Sequence, residues 1–126
     1  KIPRWISLVL SSENKLLDGT DLTKVLLNLL DFGVEMVLLN CNPCNTTNGA
    51  IKFIIKNWTK SWGVYPNVGL SMPSKEGIIE RKLSVNRFMK QVNSYIDDGA
   101  SVIGACCGSS PSYIRAIRDS INLKIK

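Results

Sequence analysis

The feature that most constrains the fold is an alternation of short apolar runs with longer segments of helical periodicity. The first run, "RWISLVL" (residues 4–10), is typical of a strand covered on both faces. Residues 20–33 then place leucines and a valine at helical spacing, and Gly33 marks the stop. Thr20 or Asp21 is available as the N-cap. These residues predict one strand followed by one helix.

The same strand-and-helix unit recurs three more times. The further strand candidates are "EMVLLNC" (35–41), "GVYPNVG" (63–69) and "ASVIGAC" (100–106). The further helix segments are "NGAIKFIIKNWTKSWG" (48–63), "SVNRFMKQVNSYIDDG" (84–99, capped by Ser84) and "SYIRAIRDSI" (112–121, after Ser110 and Pro111). Four βα units predict an α/β fold with a parallel sheet and right-handed crossovers.

Two closures of such a sheet are open at this point. One is a small doubly wound sheet, and the other is four consecutive units of a (β/α)8 TIM-type barrel of about 250 residues. The chain begins at Lys1 without a methionine and directly ahead of a strand, so we expect it to be a piece of a longer protein. Its 126 residues fit one domain, 1–126.

Composition excludes several classes of protein. Hydrophobic residues make up 44% and charged residues 21%, which is ordinary for a globular domain and argues against disorder. No apolar run approaches the roughly 18 residues that span a bilayer, and no basic-then-apolar signal segment opens the chain. We therefore expect a cytoplasmic protein with no membrane partner.

The net charge of +6 does not indicate a nucleic-acid partner. The basic residues are scattered over predicted helix faces, without a dense stripe or an aromatic stacking motif. Solvated helix surface accounts for them.

Three cysteines follow predicted strands and therefore fall on the same edge of the sheet. Cys41 ends the second strand, and the adjacent pair Cys106 and Cys107 ends the fourth. The pair can converge only where the chain bends, which Gly104 and Gly108 permit. Three thiolates suit zinc and leave a fourth position for a substrate. Buried structural thiols fit the spacing equally well, whereas a cytoplasmic disulfide is disfavoured and one between neighbours would be strained.

The remaining cysteine, Cys44, completes a "CNPC" spacing with Cys41. This spacing alone is also found in redox pairs and in closed four-thiolate zinc sites. A redox role is disfavoured because the motif does not open a predicted helix in the manner of thioredoxin, and we expect Cys44 to lie in a loop without metal contact.

Four segments in the same order resemble the homocysteine S-methyltransferase family. They are "IGACCGSSPSYI" (103–114; "GGCCGT-x-P-x-HI" in the family), "LLNCNP" (38–43; "G-V-N-C"), "VYPNVG" (64–69; "YPNAG") and "ISLVLSSENKLLDGTDL" (6–22; a strand with a downstream "DGT"). The resemblance covers essentially the whole chain. One departure is Tyr113, which stands where the family has histidine.

The resemblance implies the second half of a (β/α)8 barrel, strands five to eight, with Cys41, Cys106 and Cys107 as zinc ligands. It also implies transfer of a methyl group to the thiol of homocysteine, giving methionine, from a sulfonium donor such as S-methylmethionine or S-adenosylmethionine. No catalytic residue is expected beyond the metal site. The implied partners are homocysteine, the methyl donor and either the missing N-terminal half-barrel or a second copy of the chain.

Four further residues lie near this predicted site. Ser7 and Asn40 follow or end strands, and Asn67 and Gly69 belong to "YPNVG". We predict that they contact substrate, with turn capping as the alternative for each. A second overall interpretation also stays open, namely a non-catalytic α/β half-barrel that binds zinc or a protein partner without methyl transfer.

Overall fold

A computed structural model describes residues 2–125, so the predicted domain 1–126 ends outside the described residues at Lys1 and Lys126. The strands are β1 (Trp5–Leu8), β2 (Leu10–Ser12), β3 (Lys15–Leu16), β4 (Met36–Asn40), β5 (Ser61–Tyr65) and β6 (Val102–Ile103). The helices are α1 (Leu22–Asp31), α2 (Cys44–Asn57), α3 (Val85–Asp97) and α4 (Pro111–Ile125).

The main sheet contains β1, β4, β5 and β6 side by side in chain order, and every pair is parallel. This arrangement confirms the predicted parallel α/β sheet. Four of the five residues in β4 are buried, as expected for a strand covered on both faces. The carboxyl ends of all four strands meet at one edge.

Local capping chemistry sets the helix ends where the sequence predicts them. The Asp21 carboxylate accepts a hydrogen bond from the backbone N–H of Lys24 (3.1 Å) and begins α1. The Ser84 hydroxyl accepts from the backbone N–H of Arg87 in the same way, at the start of α3. Gly33 follows α1 with a φ of 69°.

The second helix differs from the prediction at both ends. It begins at Cys44, four residues before the predicted start, because the polar residues 44–47 extend the helical hydrogen bonding without contributing an apolar stripe. It ends at Asn57, since Trp58 adopts an extended conformation. Residues 61 and 62, predicted as helix, belong to β5 instead, and this strand ends at Tyr65, before the predicted end at 69.

A small hairpin interrupts the first predicted unit. Strand β2 turns back on β3 in antiparallel pairing, so the predicted strand 4–10 divides at Val9. The hairpin is short and mostly polar, which leaves little signal in the sequence.

The apolar core has two clusters of buried residues. The larger one joins the strands to α1 and α2, and the smaller one joins α3 to α4. Tyr113 belongs to the smaller cluster: its hydroxyl donates to the backbone carbonyl of Leu83 (2.6 Å) and its ring meets Phe88 edge-on. Among residues 2–125, no helix has both the length and the apolar character needed to cross a membrane.

Candidate metal centre

The carboxyl edge of the sheet brings together the three cysteines that were predicted to converge. The Sγ atoms of Cys41, Cys106 and Cys107 all lie within 4.8 Å of one another, and all three residues are partly buried. The Sγ atoms of Cys41 and Cys107 are 3.8 Å apart. Two segments separated by 65 positions thus supply one cluster of sulfurs.

Two of these sulfurs form a disulfide, which corrects the expectation that a disulfide is disfavoured. Cys41 is bonded to Cys106, with their Cα atoms 5.5 Å apart. The bond joins the two segments of the cluster and not the adjacent residues 106 and 107. Cys107 is therefore the one free thiol of this cluster in the structure.

Backbone geometry explains how the two segments converge. Cys41 directly follows β4 and has a φ of 55°, which is uncommon for a residue other than glycine and turns the chain at the sheet edge. The backbone N–H of Cys106 donates to the carbonyl of Pro66 (2.8 Å), which extends the pairing beyond β6.

The bend at the cysteine pair depends on one of the two glycines predicted to permit it. Gly108 has a φ of 79°, in the region that favours glycine. Gly104 is explained by space instead, because a Cβ there would lie 3.0 Å from the Cβ of Tyr65. The adjacent cysteines reach the same site because the chain turns immediately after them.

Asn67 lies beneath the cysteines and is fully buried. Its Nδ2 donates to the carbonyl of Cys41 (2.9 Å), and its Oδ1 accepts from the backbone N–H of Cys107 (3.2 Å). Gly69 is also buried, and a Cβ there would come within 2.4 Å of Ile79. The contacts of both residues are with the protein itself, and substrate contact by either stays a prediction.

A polar network of three side chains stands beside the cluster. The exposed Ser7 hydroxyl donates to the Oδ1 of Asn40 (2.5 Å) and lies 2.7 Å from the hydroxyl of Tyr65. Since the serine has one proton to give, the tyrosine hydroxyl donates to it. Tyr65 was not among the predicted site residues. The register of β4 and β5 would have identified it, because Asn40 pairs with Tyr65 across these parallel strands.

Cys44 lies apart from the cluster, at the start of α2 and not in the predicted loop. Its thiol is 1% exposed and donates to the backbone carbonyl of Asn67 (3.2 Å). Burial raises the pKa of this thiol to about 11. Burial, and then the neighbouring Cys44, raises the pKa of the Tyr95 hydroxyl, which has no hydrogen-bond partner with regular geometry among the described residues. Cys44 is therefore a neutral buried thiol.

The burial of Cys44 predicts slow alkylation. In the reduced, metal-free chain at pH 7.5, we expect iodoacetamide to modify Cys107 at least about tenfold faster than Cys44, because only a thiolate that solvent reaches reacts. Peptide mapping by mass spectrometry measures both rates. Equal rates in the folded chain would contradict the buried position of Cys44, and urea-unfolded chain, in which the difference should vanish, is the control.

The residues of the cluster fit zinc on their donor chemistry. A tetrahedral ion with Zn–S bonds of about 2.3 Å holds its sulfurs about 3.8 Å apart, which is the distance between the Sγ atoms of Cys41 and Cys107. Cys41 and Cys106 become available as ligands once their disulfide is reduced. Within residues 2–125 the cluster offers three soft donors, which leave a position open, whereas closed structural zinc sites use four ligands.

Comparison with known proteins identifies relatives along nearly the whole chain. The sequence model of a family described as Homocysteine S-methyltransferase matches residues 1–121. Homocysteine S-methyltransferase 3 of Zea mays is 36% identical over 91 residues, which are 71% of this chain and 27% of the relative. Homocysteine S-methyltransferase 2 of Arabidopsis thaliana is 31% identical over 121 residues, 93% of this chain and 36% of the relative. The match thus spans about a third of the length of these curated relatives.

Solved structures of the homocysteine methyltransferase MmuM from Escherichia coli have the same fold. The oxidized form superposes with a TM-score of 0.73 at 24% identity, covering 94% of this chain and 36% of that one. The metallated form gives a TM-score of 0.70 at 25% identity, covering 94% and 35%.

Proposed function

Since the chain belongs to the homocysteine S-methyltransferase family, we propose that it is the zinc-binding part of an enzyme that transfers a methyl group to the thiol of homocysteine, giving methionine. The observation that carries this proposal is the convergence of three cysteine sulfurs from two distant segments at the carboxyl edge of the sheet. Cys41, Cys106 and Cys107 would hold the ion. Catalysis in parallel α/β folds is located at this edge.

The chemistry at the site requires a thiolate as the attacking group. Bound zinc stabilises the deprotonated thiol of homocysteine near neutral pH and leaves it nucleophilic. Cys41, Cys106 and Cys107 would hold the ion and leave it able to take this sulfur as a further ligand. That sulfur would attack the methyl carbon of the donor, so that a new S–C bond forms while the bond from the methyl carbon to the donor atom breaks, and the donor atom keeps the electron pair and loses its positive charge. No protein base is required, which suits a chain without histidine.

The polar network supplies contacts for the rest of the substrate. Ser7 and Tyr65 present hydroxyl groups, and Asn40 presents an amide, on three neighbouring residues of the sheet edge. These groups suit the ammonium and carboxylate of an amino acid. We propose that they orient homocysteine, so that its thiol points toward the cysteines.

We further propose a sulfonium methyl donor, S-methylmethionine or S-adenosylmethionine. A sulfonium carries its charge on the sulfur next to the methyl group, so transfer releases a neutral thioether. Neutralisation of a charge makes this leaving group a good one. The names of the relatives give homocysteine as the acceptor, and the choice of donor rests on this leaving-group chemistry alone.

We propose that the sheet is four strands of a (β/α)8 barrel, completed by an N-terminal half or by a second copy of the chain. The strands lie in chain order without the reversal that marks a doubly wound sheet. The edges β1 and β6 have no strand beyond them in residues 2–125. Large apolar side chains near these outer elements are exposed, namely Ile2, Trp5, Leu27, Phe32, Ile114 and Leu123.

The test combines metal analysis with a turnover assay under reducing conditions. We expect about one zinc per chain after reduction, because three thiolates form one site, and none while the Cys41–Cys106 disulfide is intact. Methionine formation from homocysteine and S-methylmethionine or S-adenosylmethionine is then measured by mass spectrometry, with and without a supplied N-terminal half. Zinc without turnover in both cases would favour the non-catalytic interpretation. Absence of zinc from the reduced chain would contradict the proposal.

A further inference from the structure

One buried amide connects the two segments that carry the sulfurs. The Asn67 side chain is 0% exposed, donates to the carbonyl of Cys41 (2.9 Å) and accepts from the backbone N–H of Cys107 (3.2 Å). Both segments bond the Asn67 side chain through backbone groups, the carbonyl of Cys41 and the N–H of Cys107. The amide therefore fixes the positions of the two backbones relative to each other.

The backbone of Asn67 is held by the same part of the structure. Its N–H donates to the carbonyl of Asn42 (2.9 Å), and its carbonyl accepts from the thiol of Cys44 (3.2 Å). Cys41 and two residues that follow it, on one side, and Cys107, on the other, thus all bond to a single residue. The amide keeps one further N–H and one further lone pair, but the residue is fully buried, and the bonds described here are with the protein itself.

The need for such a connection follows from the backbone of Cys41. Its φ of 55° is disfavoured for a residue with a Cβ, and persists only when surrounding contacts hold it. The hydrogen bond from Nδ2 of Asn67 to the carbonyl of Cys41 is one such contact. An asparagine amide donates and accepts at once over a short reach, which aspartate, serine and alanine cannot reproduce at both ends.

We propose that Asn67 is a positioning residue, which sets the spacing of the cysteine sulfurs through the backbones of Cys41 and Cys107. The inference rests on the proposed function for its consequence, tight zinc binding. The spacing of the sulfurs can be tested without the metal, because it also governs how readily Cys41 and Cys106 form a disulfide.

The first test measures sulfur spacing without metal. In a Cys107→Ser background, the reduced chain is equilibrated with glutathione: one oxidised glutathione forms the Cys41–Cys106 disulfide and is released as two molecules of reduced glutathione. We expect Asn67→Ala to lower the effective concentration of the two thiols by about tenfold or more. Asn67→Asp, which keeps the acceptor and loses the donor, should also lower it and serves if the alanine variant does not fold.

The matched control is Asn42→Ala. Asn42 is equally buried, but its side chain bonds the backbone N–H of Leu10 (2.8 Å) and neither cysteine segment. The Asn42→Ala variant therefore measures the effect of losing a buried amide near the site without losing a bond to Cys41 or Cys107. A thiol effective concentration that falls equally in both variants would overturn the proposal.

The second test measures zinc affinity of the reduced chain by competition with a chromophoric chelator. Residues that orient metal ligands typically contribute about 10–100-fold in affinity, so we expect a loss in that range for Asn67→Ala and a smaller one for Asn42→Ala. Affinity and effective concentration both equal to those of Asn42→Ala would refute the positioning role. If the unsubstituted chain binds no zinc while Asn67→Ala still lowers the effective concentration, the proposed function fails and the positioning role stands.

Discussion

The Cys106→Ala variant should lose tight zinc binding. Structural zinc sites with four ligands are worth about 10–16 kcal/mol, so one of three thiolates contributes on the order of 4 kcal/mol, or about a thousandfold in affinity. Alanine keeps the backbone N–H that bonds the carbonyl of Pro66, so the loss of affinity would reflect the missing sulfur and not a displaced segment. Chelator competition on the reduced chain gives the affinity, and methionine formation should fall in parallel.

Cys44→Ala is the matched control for that experiment. It removes a thiol three positions from Cys41, but one that is neutral, buried and outside the cluster. Zinc affinity should change by less than about tenfold, although loss of the bond to the Asn67 carbonyl and of buried volume lowers the free energy of unfolding by about 1 kcal/mol. A thousandfold loss of affinity in Cys44→Ala, or none in Cys106→Ala, would assign the metal to a different set of thiols.

The parts of the fold that the sequence predicts correctly are those set by local chemistry. Asp21 and Ser84 cap their helices with side-chain oxygens, and Pro111 begins α4. The first four residues of the inner strand β4 are apolar because both of its faces are covered. In each case the cause lies within a few residues, so a pattern in the chain is enough to find it.

The parts that the sequence does not predict depend on distant contacts. The start of α2 at Cys44 carries no apolar stripe, and the β2–β3 hairpin is too short to leave a period. The start of α2 is held by the Gly69 carbonyl, which accepts from the backbone N–H of Cys44 (3.1 Å). The hairpin is held at β2 by Asn42, whose side chain accepts from the backbone N–H of Leu10 (2.8 Å). Local patterns do not record such bonds.

The candidate site likewise has features that the sequence predicts and features that depend on distant contacts. A general rule, that parallel strands share a carboxyl edge, places Cys41 near the pair that follows the fourth strand. It does not reveal the Cys41–Cys106 disulfide, or that Asn67 bonds the backbones of both segments. Tyr65 escapes prediction for the same reason, since its place beside Ser7 requires the register of neighbouring strands.

Gly63→Val should destabilise the chain strongly, because the centre of the sheet has no space for a side chain at this position. A Cβ on Gly63 would lie 2.6 Å from the backbone carbonyl oxygen of Val102 and 2.7 Å from both the Val102 Cβ and the Leu38 Cδ2. Gly63 pairs with Val102, so the clash falls between β5 and the two-residue strand β6. Overpacking costs about 1–3 kcal/mol where side chains can yield, and a backbone carbonyl cannot. We expect a loss of about 3 kcal/mol or more in the free energy of unfolding, measured by urea denaturation.

The same substitution should weaken zinc binding, although it touches no ligand. Strand β6 leads directly into the segment of Cys106 and Cys107, so displacement of β6 from β5 moves that pair away from Cys41. Ser61→Val is the control: it places the same side chain in the same strand, but at an exposed position where a β-branched residue is well tolerated. Its free energy of unfolding should stay within about 1 kcal/mol of the unsubstituted value, with zinc affinity unchanged. A Gly63→Val chain as stable as Ser61→Val would show that β6 does not pair with β5 as described.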